Sequence, residues 1–477
     1  MGKGQSFEIA LFFGDNSLKD GRENYRYLQN YALLSSTISK YSEVASVITV
    51  CALIVVIPVA SYLGTRFFGN SAVFVDIALR PICMFLLLMV LISLPFRKFH
   101  LSNESPASII QFIAIFALAV FGIISVQFSI NKPFSLYGAP YRYEGVWSLL
   151  SYYTLFITAA FTGKRYHRII FLFILISGII QGLYALMQHY NGYFPWVYSM
   201  YDATVSGFVG NPNYFGTLIA MLTCLSMAGF CFVEKRFEKA ILLIVSNFFF
   251  TLSIFSNTTS SWVGIFFAYC ILGFFVIRVF RRRSKEVYRV HRNQIIQNWI
   301  FIGLSFAAIF FLFNAFEDWI YLHGLIDVSS EASDIVKSGE ISDQMGSFRG
   351  YIWKTCLAYL PQYWLHGCGI DALYTLDIRI PFDTSIHVDK AHNEFLQIAI
   401  TQGVPALFSY IILVGTTLWL GFRKVIQENT INNSWLLVAF IVAFTGYLAQ
   451  SFFNNSVINV APYFWLIGGL ICAQSYK

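Results

Sequence analysis

The sequence predicts an all-α polytopic membrane protein, and three observations carry the prediction. Hydrophobic residues make up 57% of the chain and charged residues only 12%, about half the charge of a soluble domain. The apolar residues fall in long runs rather than at amphipathic spacing. Lys and Arg are concentrated in alternate intervals between those runs.

A hydrocarbon core about 30 Å thick needs roughly 20 apolar residues per helix. On that basis about twelve transmembrane helices are expected, near 45–65, 73–95, 108–130, 146–162, 167–188, 214–233, 239–256, 261–280, 299–316, 403–421, 434–452 and 461–474. Residues 1–44 are then an N-terminal segment and 45–477 one repeat-free, multi-span membrane domain. The N-terminal segment is mixed-charge (Lys19, Asp20, Arg22, Glu23, Arg26) and the first apolar stretch is long enough to span, so no cleavable signal peptide is read. Met1-Gly2-Lys3-Gly4-Gln5-Ser6 fits a myristoylation pattern, which is read as coincidence because an acyl chain adds little to so many spans.

Orientation follows from the basic residues. Arg97-Lys98, Lys164-Arg165-Arg168, Lys235-Arg236-Lys239, the run from Arg281 to Arg292 and Arg423-Lys424 occupy every second loop, as does the N-terminal segment. The intervals 189–213, 256–260 and 453–460 contain no Lys or Arg. Both termini are therefore expected in the cytoplasm and a long extracytoplasmic loop at 317–391. The net charge of +7 is a topology signal on this reading, and no nucleic-acid partner is implied.

Within the long loop, Asp327 to Gly346 is rich in Ser, Asp and Glu and is expected to be mobile. Phe348 to Tyr359 has spacing suited to a helix along the membrane face. Cys356 and Cys368 both fall in this loop, where oxidation is permitted, leaving a disulfide open. Cys51, Cys83, Cys224, Cys231, Cys270 and Cys472 lie in apolar spans as small hydrophobes. No Cys or His cluster has metal-ligand spacing, so no metal or other cofactor is expected.

Four polar clusters fall on the outer side. In the run from Ser135 to Gly145, Gly138 and Pro140 mark a turn, and Arg142 among tyrosines suits either a phosphate or sugar ligand or an interfacial anchor. In the second, Asn211-Pro212 signals a turn and Asn213 is placed to cap the next helix. The third joins Arg349, whose bland reading is an interfacial anchor paired with an acid such as Asp343, to His392-Asn393, where His392 alone reads equally as an N-terminal helix residue satisfied by backbone. Gly403-Val404-Pro405 follows, with Pro405 suited to the first turn of a new helix, so His392 is expected in a short helical segment that stops before the true span. The fourth, Asn454-Asn455-Ser456 with Asn459, could line a sugar site but reads first as a plain polar loop. Arg80 is the clearest charge inside a span and lies well before the third cluster in the chain.

Together, Arg349-x-x-x-Trp353, Pro361…Gly367-Cys368-Gly369, Ala391-His392-Asn393-x-x-Leu396 and Gln402-Gly403-Val404-Pro405 resemble the O-antigen ligase and polymerase superfamily of bacterial membrane proteins. The topology is similar, and the Ser-Leu-Tyr-Gly…Arg-x-Glu-Gly and Gly-Asn-Pro-Asn elements recur in members of that family. The resemblance covers about residues 108–470.

It implies a GT-C-like, metal-independent glycosyltransferase of the cell envelope. The donor would be a polyprenyl-diphosphate-linked glycan, the acceptor a glycan, lipid or protein, and the surroundings membrane lipids. The residue chemistry suits this. A diphosphate gripped by arginines leaves without a general acid, whereas the attacking hydroxyl needs a base. The reading assigns His392 as that base, Arg349 and Arg142 to the diphosphate, and Asn393, Asn211 and Asn213 to positioning, with inversion at the anomeric carbon.

One departure stands out. Members commonly carry an arginine at the start of the eighth span, where this chain has Thr259 or Ser260. Ligase and polymerase readings both remain open, as do a lipid-linked oligosaccharide flippase and a non-catalytic scaffold.

Overall fold

The computed structural model describes residues 21–96, 106–190, 204–281, 287–316, 320–381, 383–427 and 434–475. The Met1–Ser6 pattern, Lys19, Asp20, Arg97, Lys98 and residues 282–285 of the basic run lie outside the described residues.

Apolar runs become helices because hydrocarbon offers no partner for backbone polar groups, and a helix satisfies them within the segment. In chain order the helices are α1 (Gly21–Phe68), α2 (Ala72–Ser93), α3 (Pro106–Gln127), the short α4 (Lys132–Tyr137), α5 (Val146–Ala160), α6 (His167–His189), α7 (Pro212–Phe232) and α8 (Arg236–Phe255). They continue as α9 (Thr259–Arg281), α10 (Val287–Phe316), α11 (Ile320–Ser338), α12 (Met345–Tyr363), α13 (Glu394–Gln402), α14 (Val404–Gln427), α15 (Trp435–Ser451) and α16 (Ala461–Ser475).

Among the described residues nine helices are long and apolar enough to cross a membrane: α1, α2, α3, α6, α7, α8, α9, α10 and α14. Helices α5, α15 and α16 are apolar but shorter. The chain is thus a predominantly α-helical, polytopic membrane protein. Helix α1, at 48 residues, is about 72 Å long at 1.5 Å per residue. Its polar N-terminal part continues the apolar span as one helix.

The short helices sit in the middle. Helix α7 is buried throughout its apolar length and packs on α8, α9 and α15, while α16 packs on α5. Small residues along α7, among them Gly216, Ala220, Ala228 and Gly229, allow that close approach. The peripheral helices leave Leu88, Phe116 and Leu304 exposed, a surface suited to lipid rather than water.

Segment 320–391 is more ordered than its composition predicts. Helix α11 runs to Ser338, through most of the stretch expected to be mobile. Helix α12 contains the predicted helical stretch, with a kink where Gly346, Ser347 and Phe348 take left-handed dihedrals. An antiparallel hairpin follows, β1 (Arg379–Ile380) with β2 (Asp383–His387). Helix α12 and the segment 368–388 share a small core of their own, built on Ile352, Cys356, Cys368, Leu373, Ile378 and Val388. Both cysteines in it are free thiols and no disulfide joins them.

The Gly367-Cys368-Gly369 turn caps the interrupted helix at α13. Cys368 N–H donates to the Ile400 carbonyl (2.8 Å) and Gly369 N–H to that of Thr401 (3.1 Å). A side chain at Gly367 (φ +72°) would stand 2.1 Å from the Thr401 backbone carbon, so only glycine fits. The break before α14 falls at Gly403, with Pro405 in the first turn of α14, as the sequence predicts.

Candidate active site

Four connections meet at one end of the bundle: the turn 138–145, the turn 207–211, the segment 388–393 and the loop 453–460. The first is held by glycine. Gly138 has φ +94°, and a Cβ there would lie 2.3 Å from the Tyr143 backbone. Tyr141 and Tyr143, at φ +74° and +56°, are left-handed without that excuse.

A buried ionic cluster joins this turn to the histidine segment. Lys390 Nζ lies 2.9 Å from Glu144 Oε2 and 2.8 Å from Asp371 Oδ1, and all three residues are almost fully buried. Glu144 Oε1 also accepts from Tyr152 (3.0 Å) and Ser456 (3.2 Å), and Asp371 Oδ2 accepts from the Ala139 N–H (2.7 Å). Burial pushes the Glu144 carboxyl up despite Lys390. Burial works against the Lys390 ammonium, but the two carboxylates hold it well above its ordinary range.

His392 is fixed from both sides. Ala391 N–H donates to Gln397 (2.7 Å), its carbonyl accepts from Trp353 Nε1 (3.0 Å), and Asn393 Oδ1 accepts from the Leu396 N–H (3.0 Å) as the N-cap of α13. His392 therefore stands before α13 rather than within the short helix, at φ +49°. Helix α13 begins where the Asn393 side chain can terminate it, which is the physical reason for the correction. His392 Nδ1 is sealed from solvent and has no hydrogen-bond partner among the described residues. Burial, then Arg349, lowers the imidazole pKa to about 4, against the opposing Asp389, with Arg142 and Lys390 lowering it further.

Arg142 donates from Nε to Asp389 and from Nη1 to the Tyr214 hydroxyl. Its guanidinium carbon lies 5.4 Å from the Tyr214 ring centroid. Arg349 follows the kink in α12. It makes no hydrogen bond or ion pair among the described residues, and Asp343 pairs instead with Lys354 (2.7 Å). Burial depresses the Arg349 guanidinium, partly offset by Glu331 and then Tyr214. Arg142, Arg349 and His392 thus come together around Tyr214.

Asn211, not Asn213, caps α7: its Oδ1 accepts from the N–H groups of Asn213 (2.9 Å) and Tyr214 (3.4 Å). Pro212 takes the first helical position and leaves Asn211 as the cap. The Asn213 carbonyl accepts from Asn454 Nδ2 (3.1 Å), and its side chain forms no hydrogen bond among the described residues. Asn454, Asn455 and Asn459 are buried, tying the last loop to α7 and, through Asn459 and Ser61 (2.7 Å), to α1. They are structural joints rather than a plain polar loop. Arg80, well before the site along the chain, pairs with Asp76 and donates to the Tyr137 carbonyl (2.9 Å) at the edge of the first turn.

At the start of α9, Ser260 and Ser261 are buried with unpartnered hydroxyls among the described residues. A Cβ at Gly216 would meet the Ser261 hydroxyl at 2.4 Å. Thr258 and Ser261, which flank the position where an arginine was expected, thus pack closely on Gly216 of α7, and Arg142 and Arg349 supply the cations beside Tyr214.

Behind this site lies a cavity of about 60 Å³ reached by Glu144, Asp371, Lys390, Glu394 and Gln397. Glu394 accepts from Tyr410 (3.1 Å) and Tyr447 (3.0 Å). Burial raises its pKa to about 7, those hydroxyls opposing. Sequence reasoning assigned no role to Glu144, Asp371, Asp389, Lys390, Tyr214 or Glu394. The signal available was the adjacency of Asp389-Lys390 to His392 and of Glu144 to Arg142. Among the described residues no group of His, Cys, Asp and Glu could hold a metal ion.

The fold and this cluster define a polytopic helical membrane protein that gathers arginine, lysine and histidine at one end of its bundle. Residues 240–411 match the family model described as O-antigen ligase, and this match supports the O-antigen ligase superfamily for the chain. The matched segment includes Arg349, Asp371, Lys390 and His392; Arg142, Glu144, Asn211 and Tyr214 lie outside it. No curated protein matches the chain.

Proposed function

We propose that this protein is a membrane glycosyltransferase of the O-antigen ligase type, moving a glycan from a polyprenyl diphosphate to an acceptor hydroxyl. The observation that carries the reading is the gathering of Arg349, Arg142 and His392 about Tyr214, with Arg349 making no hydrogen bond or ion pair among the described residues. In this reading all twelve apolar helices cross the cytoplasmic membrane, the termini are cytoplasmic, and segment 317–391 lies outside. The alternation of basic loops supports that topology.

Arg349 grips the diphosphate, with Arg142 beside it, and the negative charge that develops on the leaving group is met by fixed cations. Neutral His392 takes the proton of the attacking hydroxyl, and attack opposite the leaving diphosphate inverts the anomeric carbon. Asn393 and Asn211 act by shaping the backbone around the site, while the Asn213 amide is free to meet substrate. Burial, and then Arg349 and Arg142, disfavour protonated His392 and make it a weak base. A bound diphosphate cancels that field, so the donor itself raises the basicity of His392.

The test is transfer by purified protein from a short-chain polyprenyl-diphosphate oligosaccharide to a panel of acceptors. His392→Ala is expected to lose at least about a hundredfold in kcat while donor binding persists, and Arg349→Ala to weaken donor binding. Unchanged transfer by His392→Ala refutes the assignment. Products extended on the lipid carrier identify a polymerase, and products on another acceptor a ligase.

A further inference from the structure

A second cavity, of about 180 Å³, opens beside the cluster and is lined by Thr65, Asn70, Ser71, Tyr141, Arg142 and Tyr214, among others. Arg142 and Tyr214 form a wall common to this cavity and to the His392 cluster. The cavity exceeds the roughly 30 Å³ of one water severalfold and falls below the roughly 300–1,000 Å³ of pockets for drug-sized ligands. That room suits one ring rather than an oligosaccharide.

Its chemistry is that of a neutral polyol site. Asn70 Oδ1 accepts from the Ala72 N–H (3.0 Å), which fixes the amide while its Nδ2 stays without a hydrogen bond among the described residues. Thr65 and Ser71 spend their hydroxyl protons on the carbonyls of Ser61 and Val209, so their oxygens are left to accept. Tyr141 stands at the rim, 74% exposed and held in a left-handed conformation. An exposed aromatic ring in a strained turn gains nothing from burial, and strain of this kind persists where a site uses the geometry.

We propose that this cavity is a subsite for a single sugar ring, the one joined to the diphosphate, with Asn70 donating to a ring hydroxyl and Tyr141 stacking on its apolar face. The proposal rests on the transferase reading for the identity of the diphosphate, and it places sugar selection in α1, α2 and the 138–145 turn, outside the segment that matches the family model.

Two conservative variants test it. Asn70→Asp keeps the oxygen that caps Ala72 and removes the amide donor; Tyr141→Gly removes the ring and relieves the backbone. Equilibrium binding is measured to a short polyprenyl diphosphate, to the same diphosphate carrying one hexose or N-acetylhexosamine, and to the free methyl glycosides. The sugar is expected to improve wild-type affinity about tenfold for at least one ring. Each variant is expected to lose most of that gain relative to its own affinity for the bare diphosphate, which Tyr141→Gly leaves unchanged and the added charge of Asn70→Asp lowers.

A gain that survives in both variants, or no gain for any ring, overturns the subsite. Variant-sensitive binding confined to the free glycosides supports a ring site but assigns it to the acceptor. Sugar-dependent binding without transfer refutes the transferase reading alone, and transfer without the sugar gain refutes the subsite alone.

Discussion

Replacing Lys390 with methionine probes the ionic cluster independently of any reaction. Lys390 is the sole cation within 4.0 Å of Glu144 and Asp371 among the described residues, at 2.9 and 2.8 Å. Methionine matches its length but leaves two carboxylates facing each other in a nearly dry interior. Breaking a buried pair by removing one partner costs about 3–5 kcal/mol. Proton sharing between the stranded carboxylates holds the cost toward the lower end. Each kcal/mol moves Tm by about 2–4 °C in chains of 150–250 residues and less in longer ones, so a fall of roughly 5 °C is expected. The assay is thermal unfolding in detergent, followed by intrinsic fluorescence. Adding Glu144→Gln and Asp371→Asn to Lys390→Met removes the unpaired charge and should recover most of the loss. An unshifted Tm for Lys390→Met, or no recovery in the triple variant, refutes the claim that this cluster fastens the histidine segment to the 138–145 turn.

Two pH experiments follow from the same site. With burial and Arg349 lowering His392 to about 4, kcat/KM should stay flat from pH 8 down and fall only as pH approaches about 4. The limb in kcat should lie higher, because bound diphosphate offsets Arg349 and Arg142; coincident limbs contradict substrate tuning of the base. Glu394 has a folded-state pKa of about 7, above an ordinary value near 4.3. Its contribution is fully present below that ordinary value and is lost as pH rises through about 7. Unfolding scans should show wild type weakening across that window and Glu394→Gln holding steady; parallel curves contradict the raised pKa.

The apolar runs and the break at Gly403 were legible because each is a local property. Membrane thickness sets run length, and glycine with proline sets the break. The order in 327–338 was not legible, because composition reports solvation while this part of α11 is tied beyond its own helix, the Glu331 carboxylate accepting from the Gly346 N–H (3.2 Å) at the kink in α12. The cap on α7 was misplaced by two residues, from Asn211 to Asn213, because Pro212 fits either reading until the backbone dihedrals are known. The bland alternative for Arg349, a pair with an acid such as Asp343, could not be judged from sequence either, because proximity along the chain does not choose between Arg349 and Lys354.

The sequence by itself determined the membrane class, the helices that carry it, and the three residue types, arginine, histidine and asparagine, on which a functional reading turns. Tertiary structure alone decided their partners. Lys390 meets Glu144 across 246 residues, and Arg142 meets Asp389 across 247 and Tyr214 across 72. Hydrophobic run length is written one segment at a time, whereas charge compensation and cavity shape depend on which distant helix ends the packing brings together.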